Sequence, residues 1–143
     1  MKNTKNMHPT VFSALHTNSK EELGELYQSW AKRYDADVLN KIGYIGHIVS
    51  TELLFRHLPE TDARILDAGC GTGLVGEILK CKGFDDVVGI DFSPSMLDQA
   101  AEKGVYRSLE LADLTQILHL MTMPLMRLFV PELLLVAILG WML

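Results

Sequence analysis

Three glycines and two acids near the middle of this chain are placed where they could do chemistry. Gly69, Gly71 and Gly73 follow the apolar pair Ile65–Leu66, and Asp67 stands between the pair and the glycines. Glycines at alternate positions let a backbone turn tightly and approach a ligand where a Cβ would collide. A helix opening near Leu74 would aim its unbonded N–H groups at the same point. Asp91 lies 18 residues beyond Gly73, at the end of the next apolar run, Val87 to Ile90. A carboxylate there can accept hydrogen bonds from both hydroxyls of a ribose. This is the layout of a nucleotide-cofactor site at the carboxyl edge of a parallel sheet.

Two nucleotide classes use that layout. Gly71, Gly73 and Gly76 satisfy the G-x-G-x-x-G spacing of dinucleotide folds, a pattern that is weak alone. The stretch LDAGCGTG, from Leu66, also fits an acid followed by x-G-x-G-x-G. It resembles motif I of the class I (Rossmann-like) S-adenosylmethionine-dependent methyltransferases. The acid separates the two classes: a carboxylate at Asp67 would repel a pyrophosphate but suits a cationic, phosphate-free ligand. Gly89 to Gly104 is similar to the second strand and following helix of that family, and Leu109 to Leu114 to its third strand. Tyr27 to Val38, with its W-A-x-x-Y-D pattern, is similar to the N-terminal segment of the Williams–Beuren-region methyltransferase-like proteins.

The resemblance implies a cofactor, S-adenosyl-L-methionine, and its contacts. Asp67 and the backbone of Gly69, Gly71 and Gly73 would hold the amino-acid end. Asp91 would take the ribose hydroxyls, with Phe92 and Met96 packed near the adenine. Asp113 would accept from the adenine amino group, beside the Leu114 N–H. The N-terminal helices of the family lie over the cofactor pocket, which makes Trp30 and Tyr34 candidates to line it. No catalytic residue is implied, because methyl transfer from a sulfonium needs alignment more than a base.

Composition narrows the partners. The chain has 143 residues, room for one domain, and a formal net charge of −5. No Lys/Arg stripe stands out, so a small-molecule or protein methyl acceptor is expected and a nucleic acid is not. Cys70 and Cys81 lack histidines at ligand spacing, so no metal site is expected. The first ten residues lack the apolar core of a signal peptide, and a cytoplasmic setting is the default expectation.

The elements that must position these residues can be read in outline. Residues 1–18 are polar and irregular, and are expected to be a mobile N-terminus. Ser19 and Glu22 form a capping-box signature for a helix over Lys20–Arg33, with Leu23, Leu26, Tyr27 and Trp30 on its apolar face. A second helix is expected from Ala36 to His57, where His47 and His57 read as ordinary core or surface histidines. The fold class is α/β: a Rossmann-like parallel sheet of about three strands (Arg64–Asp67, Val87–Asp91, Ser108–Ala112), preceded by two helices. Residues 19–116 would form this partial methyltransferase domain.

Residues 117–143 break the rhythm. They are almost all apolar and hold four of the seven methionines. Pro124, Arg127, Pro131 and Glu132 interrupt them, which leaves Leu133 to Leu143 too short to span a bilayer, so membrane association is not favoured. In the frame starting one base earlier, permitted codons from His119 to Val136 can spell a loop and the F-D-A-V start of the family's fourth strand. The tail therefore reads as a frame-shifted segment, with a genuine tail or an alternative exon as the other reading; on the first, the family's C-terminal half is missing and the chain's own activity is in doubt. The sheet order implied by the family is 3-2-1-4-5-7-6. Strand 1 would then keep a bare edge, covered at most by a helix from Pro131.

Overall fold

The computed structural model describes residues 8–58, 60–114 and the strand at 133–137. Five helices and four strands occur among them: α1 (Pro9–His16), α2 (Lys20–Ala36), α3 (Gly46–His57), β1 (Arg64–Ala68), α4 (Leu74–Cys81), β2 (Val87–Asp91), α5 (Pro94–Lys103), β3 (Ser108–Leu111) and β4 (Leu133–Ala137). A π-helical turn, Asp37–Ile42, joins α2 to α3. The sheet order is β3-β2-β1-β4, with every pairing parallel.

The βαβαβ unit follows from local chemistry. β1 and β2 are short runs buried on both faces, as covered parallel strands must be. Gly73 opens α4 at φ 91°, and Gly83 closes its exit turn at φ 94°, both in the left-handed region that glycine favours. Pro94 starts α5 at a position where its missing N–H costs nothing. Ile65, Val75, Leu79, Phe84 and Val87 form the core between sheet and α4, joined by Leu54 of α3. Each contributes about 1.5–3 kcal/mol by leaving water.

Four expectations change. Residues 9–16 form α1 where an irregular segment was expected, and His8 stacks on Trp30 at 6.3 Å. The Ser19 hydroxyl accepts from the Glu22 N–H, as the capping box predicts, but α2 runs on to Ala36. The expected single helix from Ala36 to His57 is broken. Gly43, at φ 68°, reverses the chain after the π-turn, and α3 begins only at Gly46. Finally, residues 133–137 form a strand rather than a helix from Pro131, and β4 pairs with β1 from Arg64↔Leu133 to Ala68↔Ala137. The expected bare edge of strand 1 is therefore covered. Periodicity could not decide this, because a short continuous apolar run suits a parallel strand and a buried helix equally. The frame-shift reading falls on residues 117–143, of which only β4 is described. Among the described residues no helix is long and apolar enough to cross a membrane.

Candidate functional site

The glycine turn sits at the carboxyl ends of β1 and β2. Gly69 and Cys70 donate their N–H groups to the Ile90 carbonyl, at 2.8 and 3.0 Å. Gly71 donates to Asp91 Oδ2 at 2.9 Å, and Asp91 Oδ1 accepts from the Ser93 N–H at 2.9 Å. Asp91 thus fastens the turn to the start of α5. A carboxylate offers about four lone-pair sites, so acceptor capacity remains. Burial pushes its pKa above the ordinary carboxylate value, against the pull of the backbone N–H groups of Ser93, Gly71 and Phe92.

Asp67 is fully buried beneath this turn. Its Oδ2 accepts from the Tyr106 hydroxyl at 2.6 Å, while Oδ1 has no hydrogen-bond partner among the described residues. Burial raises its pKa to about 7; the Tyr106 hydrogen bond pulls the other way, and the nearby Asp91 charge adds to the rise. Tyr106 is the residue that sequence reasoning missed. Its ring fills the space left by three glycines. A Cβ on Gly76 would come within 3.0 Å of the ring, and one on Gly73 or Gly89 would lie 3.1 Å from it. Its hydroxyl also accepts from the Gly76 N–H at 3.2 Å. The third glycine of the apparent G-x-G-x-x-G therefore makes room for a tyrosine. The only available signal was a tyrosine near the start of the third strand, which proximity in sequence does not link to Asp67.

Across the turn stands the helical layer. Gly69, Cys70, Gly71, Thr72, Leu74 and Val75 form one wall of a cleft of about 50 Å³, and Tyr34, Tyr44 and His47 form the other. Gly71 leaves open space at the turn, since a Cβ there would meet none of the described residues within 4 Å. Tyr34 lines this cleft. Trp30 is fully buried instead, with its indole N–H donating to Asp37 Oδ2 at 2.8 Å and Tyr34 against its edge. Hydrogen bonds from Lys41 and Trp30 hold Asp37 below the usual carboxylate range. Asp35 reaches across from α2: its Oδ1 accepts from the Thr72 hydroxyl, and its Oδ2 meets Lys103 Nζ at 2.6 Å. Lys103 also pairs with Glu77 at 2.8 Å, joining α2, α4 and α5.

The adenine-side candidates are gathered but engaged. Asp113 pairs with Lys20 at 2.7 Å, and Lys20 also lies 5.8 Å from the Phe92 ring. Tyr27 tilts onto Phe92 at 5.8 Å, and burial, with a smaller push from Asp91, raises its pKa to about 12. Met96 is buried in the core, and the Leu114 side chain comes 3.5 Å from where a Gly69 Cβ would sit. All nine residues singled out for the cofactor therefore lie on or next to the carboxyl ends of β1, β2 and β3, or on the elements that follow them.

An acid below a glycine turn, a second acid at the end of the next strand and a parallel sheet ordered β3-β2-β1-β4 define a Rossmann-like site. Residues 65–123, under half of the chain, match the family model of a methyltransferase domain. It is 41% identical over 92 residues to human methyltransferase-like protein 27, covering 63% of this chain and 37% of that protein. A bovine 18S rRNA (guanine-N(7))-methyltransferase is 46% identical over 52 residues, covering 36% of this chain and 18% of that one. The magnesium-protoporphyrin O-methyltransferase of Rhodobacter capsulatus is 33% identical over 84 residues, covering 53% and 36%. The crystal structure of Streptomyces venezuelae DesVI superposes with a TM-score of 0.46 and 28% identity, over 58% of this chain and 35% of that one. The chain thus spans well under half the length of these relatives.

Proposed function

We propose that this chain supplies the donor-binding half of an S-adenosylmethionine-dependent methyltransferase. The observation that carries the reading is the glycine turn, tied to Asp91 and facing a cleft walled by Tyr34, Tyr44 and His47. The residues fit the donor at this end. Among the described residues a buried carboxylate oxygen on Asp67 has no partner, and the Gly71 backbone is open to close approach. At the adenine end the fit requires Lys20 to leave Asp113. Their pair is partly exposed and of the kind worth about 0–1 kcal/mol, so a ligand amino group can displace it.

S-adenosylmethionine supplies a methyl group already activated on a sulfonium. The work left to the protein is to orient and to exclude water. Asp91 would hold the ribose hydroxyls while keeping the turn in place, and Asp113 with the Leu114 N–H would read the adenine edge. Phe92 would pack on its face, with Met96 supporting it from the core. Gly69, Gly71 and Gly73 would let the backbone approach the amino-acid end, and Asp67 would offset its positive charge.

The acceptor is proposed as a small molecule or a protein side chain. Relatives named for an rRNA guanine and for a magnesium-protoporphyrin oxygen widen that field, and acidic balance alone does not sort among these classes. Calorimetry on the 143-residue chain tests the donor reading. Binding of S-adenosylhomocysteine without binding of NADH supports it. The reverse result would return the chain to the dinucleotide reading, and binding of neither would leave a remnant without donor affinity.

A further inference from the structure

His47 stands outside every expectation drawn from the glycine motif. It is the second residue of α3 and buried, and its ring stacks on Tyr44 at 5.4 Å. It lines the cleft opposite Gly69, Gly71 and Thr72. Its Nδ1 is buried and has no hydrogen-bond partner among the described residues. Buried ring nitrogens normally find partners, and one that does not calls for an explanation, such as a ligand that supplies the partner. The opposite wall is the opening of α4. There Gly76 donates to Tyr106, and the N–H groups before it have no intrahelical acceptor. Unbonded helix N–H groups attract a negative group.

We infer that His47 is a ligand-binding residue, and that it holds the carboxylate at the amino-acid end of the methyl donor between its imidazole and the start of α4. The inference rests on the donor reading above and adds a residue to it from a helix outside the glycine motif. Tyr34 and Tyr44 complete the wall and can orient the ring or donate hydroxyls to the same carboxylate. The charged neighbours are Asp35 of α2, Glu77 of α4 and Lys103 of α5. Burial holds the free imidazole below its ordinary pKa, and Lys103 pushes the same way against Asp35 and Glu77. A neutral imidazole with one N–H can donate to a carboxylate without placing a second charge in the buried cleft.

The test compares two ligands that differ only at this end. S-adenosylhomocysteine carries the amino-acid group; 5′-methylthioadenosine keeps the adenine, ribose and sulfur but lacks it. Titrations use the full chain, its His47→Phe variant and its His47→Gln variant, with thermal unfolding to confirm that each folds. His47→Phe should weaken S-adenosylhomocysteine about tenfold and change methylthioadenosine less than twofold. His47→Gln, which keeps a donor, should recover part of the loss. Equal losses for both ligands, or no loss for either, overturn the role of His47 while leaving the donor reading intact. If the unaltered chain binds neither ligand, the donor reading itself fails and takes this inference with it.

Discussion

The two walls of the cleft are built on different principles. The sheet wall is fixed by shape. Three glycines admit one tyrosine ring, and the strands beneath them are largely buried. The helical wall is fixed across the cleft by charge and polarity. Asp35 bonds Thr72 and Lys103, and Lys20 bonds Asp113. Shape-fixed contacts have few alternatives, because a packed interior tolerates little change in volume. Polar contacts near the surface exchange readily with water or a ligand. The difference suggests a division of labour: the sheet wall sets where a ligand sits, and the helical wall sets how tightly it is enclosed.

The strongest way to break this contrast is Gly76→Ala. The new methyl would collide with Tyr106, and overpacking of this kind costs about 1–3 kcal/mol, read by chemical denaturation. Adding Tyr106→Ala should give a combined loss smaller than the sum of the two single losses, because removing the ring removes the collision. A simple sum would show that shape does not fix this wall.

Asp91→Ala comes next. It removes two acceptors that tie Gly71 and Ser93, and with them the candidate ribose ligand. We expect a loss of about 1.5–3 kcal/mol in S-adenosylhomocysteine binding by calorimetry. An unchanged affinity would reduce Asp91 to a fastening for the turn.

Asp67 makes the sheet wall sensitive to pH. Its pKa rises on folding from the ordinary 3.8 to about 7. Between those values the folded chain keeps a proton that the unfolded chain has lost, so unfolding releases a proton and becomes easier as pH rises. The Asp67 contribution is therefore fully favourable below about pH 4, declines through pH 4–7 and levels off above. The raised pKa of Asp91 adds a slope of the same sign. Asp67→Asn should flatten part of this decline in a series of unfolding curves. Tyr106→Phe should carry the upper end of the window higher, because it removes a hydrogen bond that lowers the Asp67 pKa.

The smallest effect on stability is expected from Asp35→Asn on the helical wall. The Lys103 pair is partly exposed, so the loss should stay within about 1 kcal/mol by denaturation. Faster dissociation of S-adenosylhomocysteine with little loss of stability would sharpen the contrast. A loss like that of Gly76→Ala would erase it.

Much of the sheet wall was legible in the sequence because its signals are local. Leu66 to Gly73 carries strand, acid and turn in eight consecutive residues, and the three expected strands form where the apolar runs lie. Tyr34 was legible only through the family resemblance. His47 and Tyr106 were not, since nothing at their own positions names the turn that each one faces. The break at Gly43 was hidden because the residues on both sides read as helix. For β4, five apolar residues name no partner; their pairing with β1 depends on an open strand edge far away in sequence.

The Gly76–Tyr106 contact also bears on inheritance. Two positions 30 residues apart share one volume, so neither can drift alone: a larger residue at the first requires a smaller one at the second. Lineages descended from a common ancestor should change the two together or not at all. A search that counts glycines alone would file such chains with the dehydrogenases. One that asks for the aromatic partner as well would separate them.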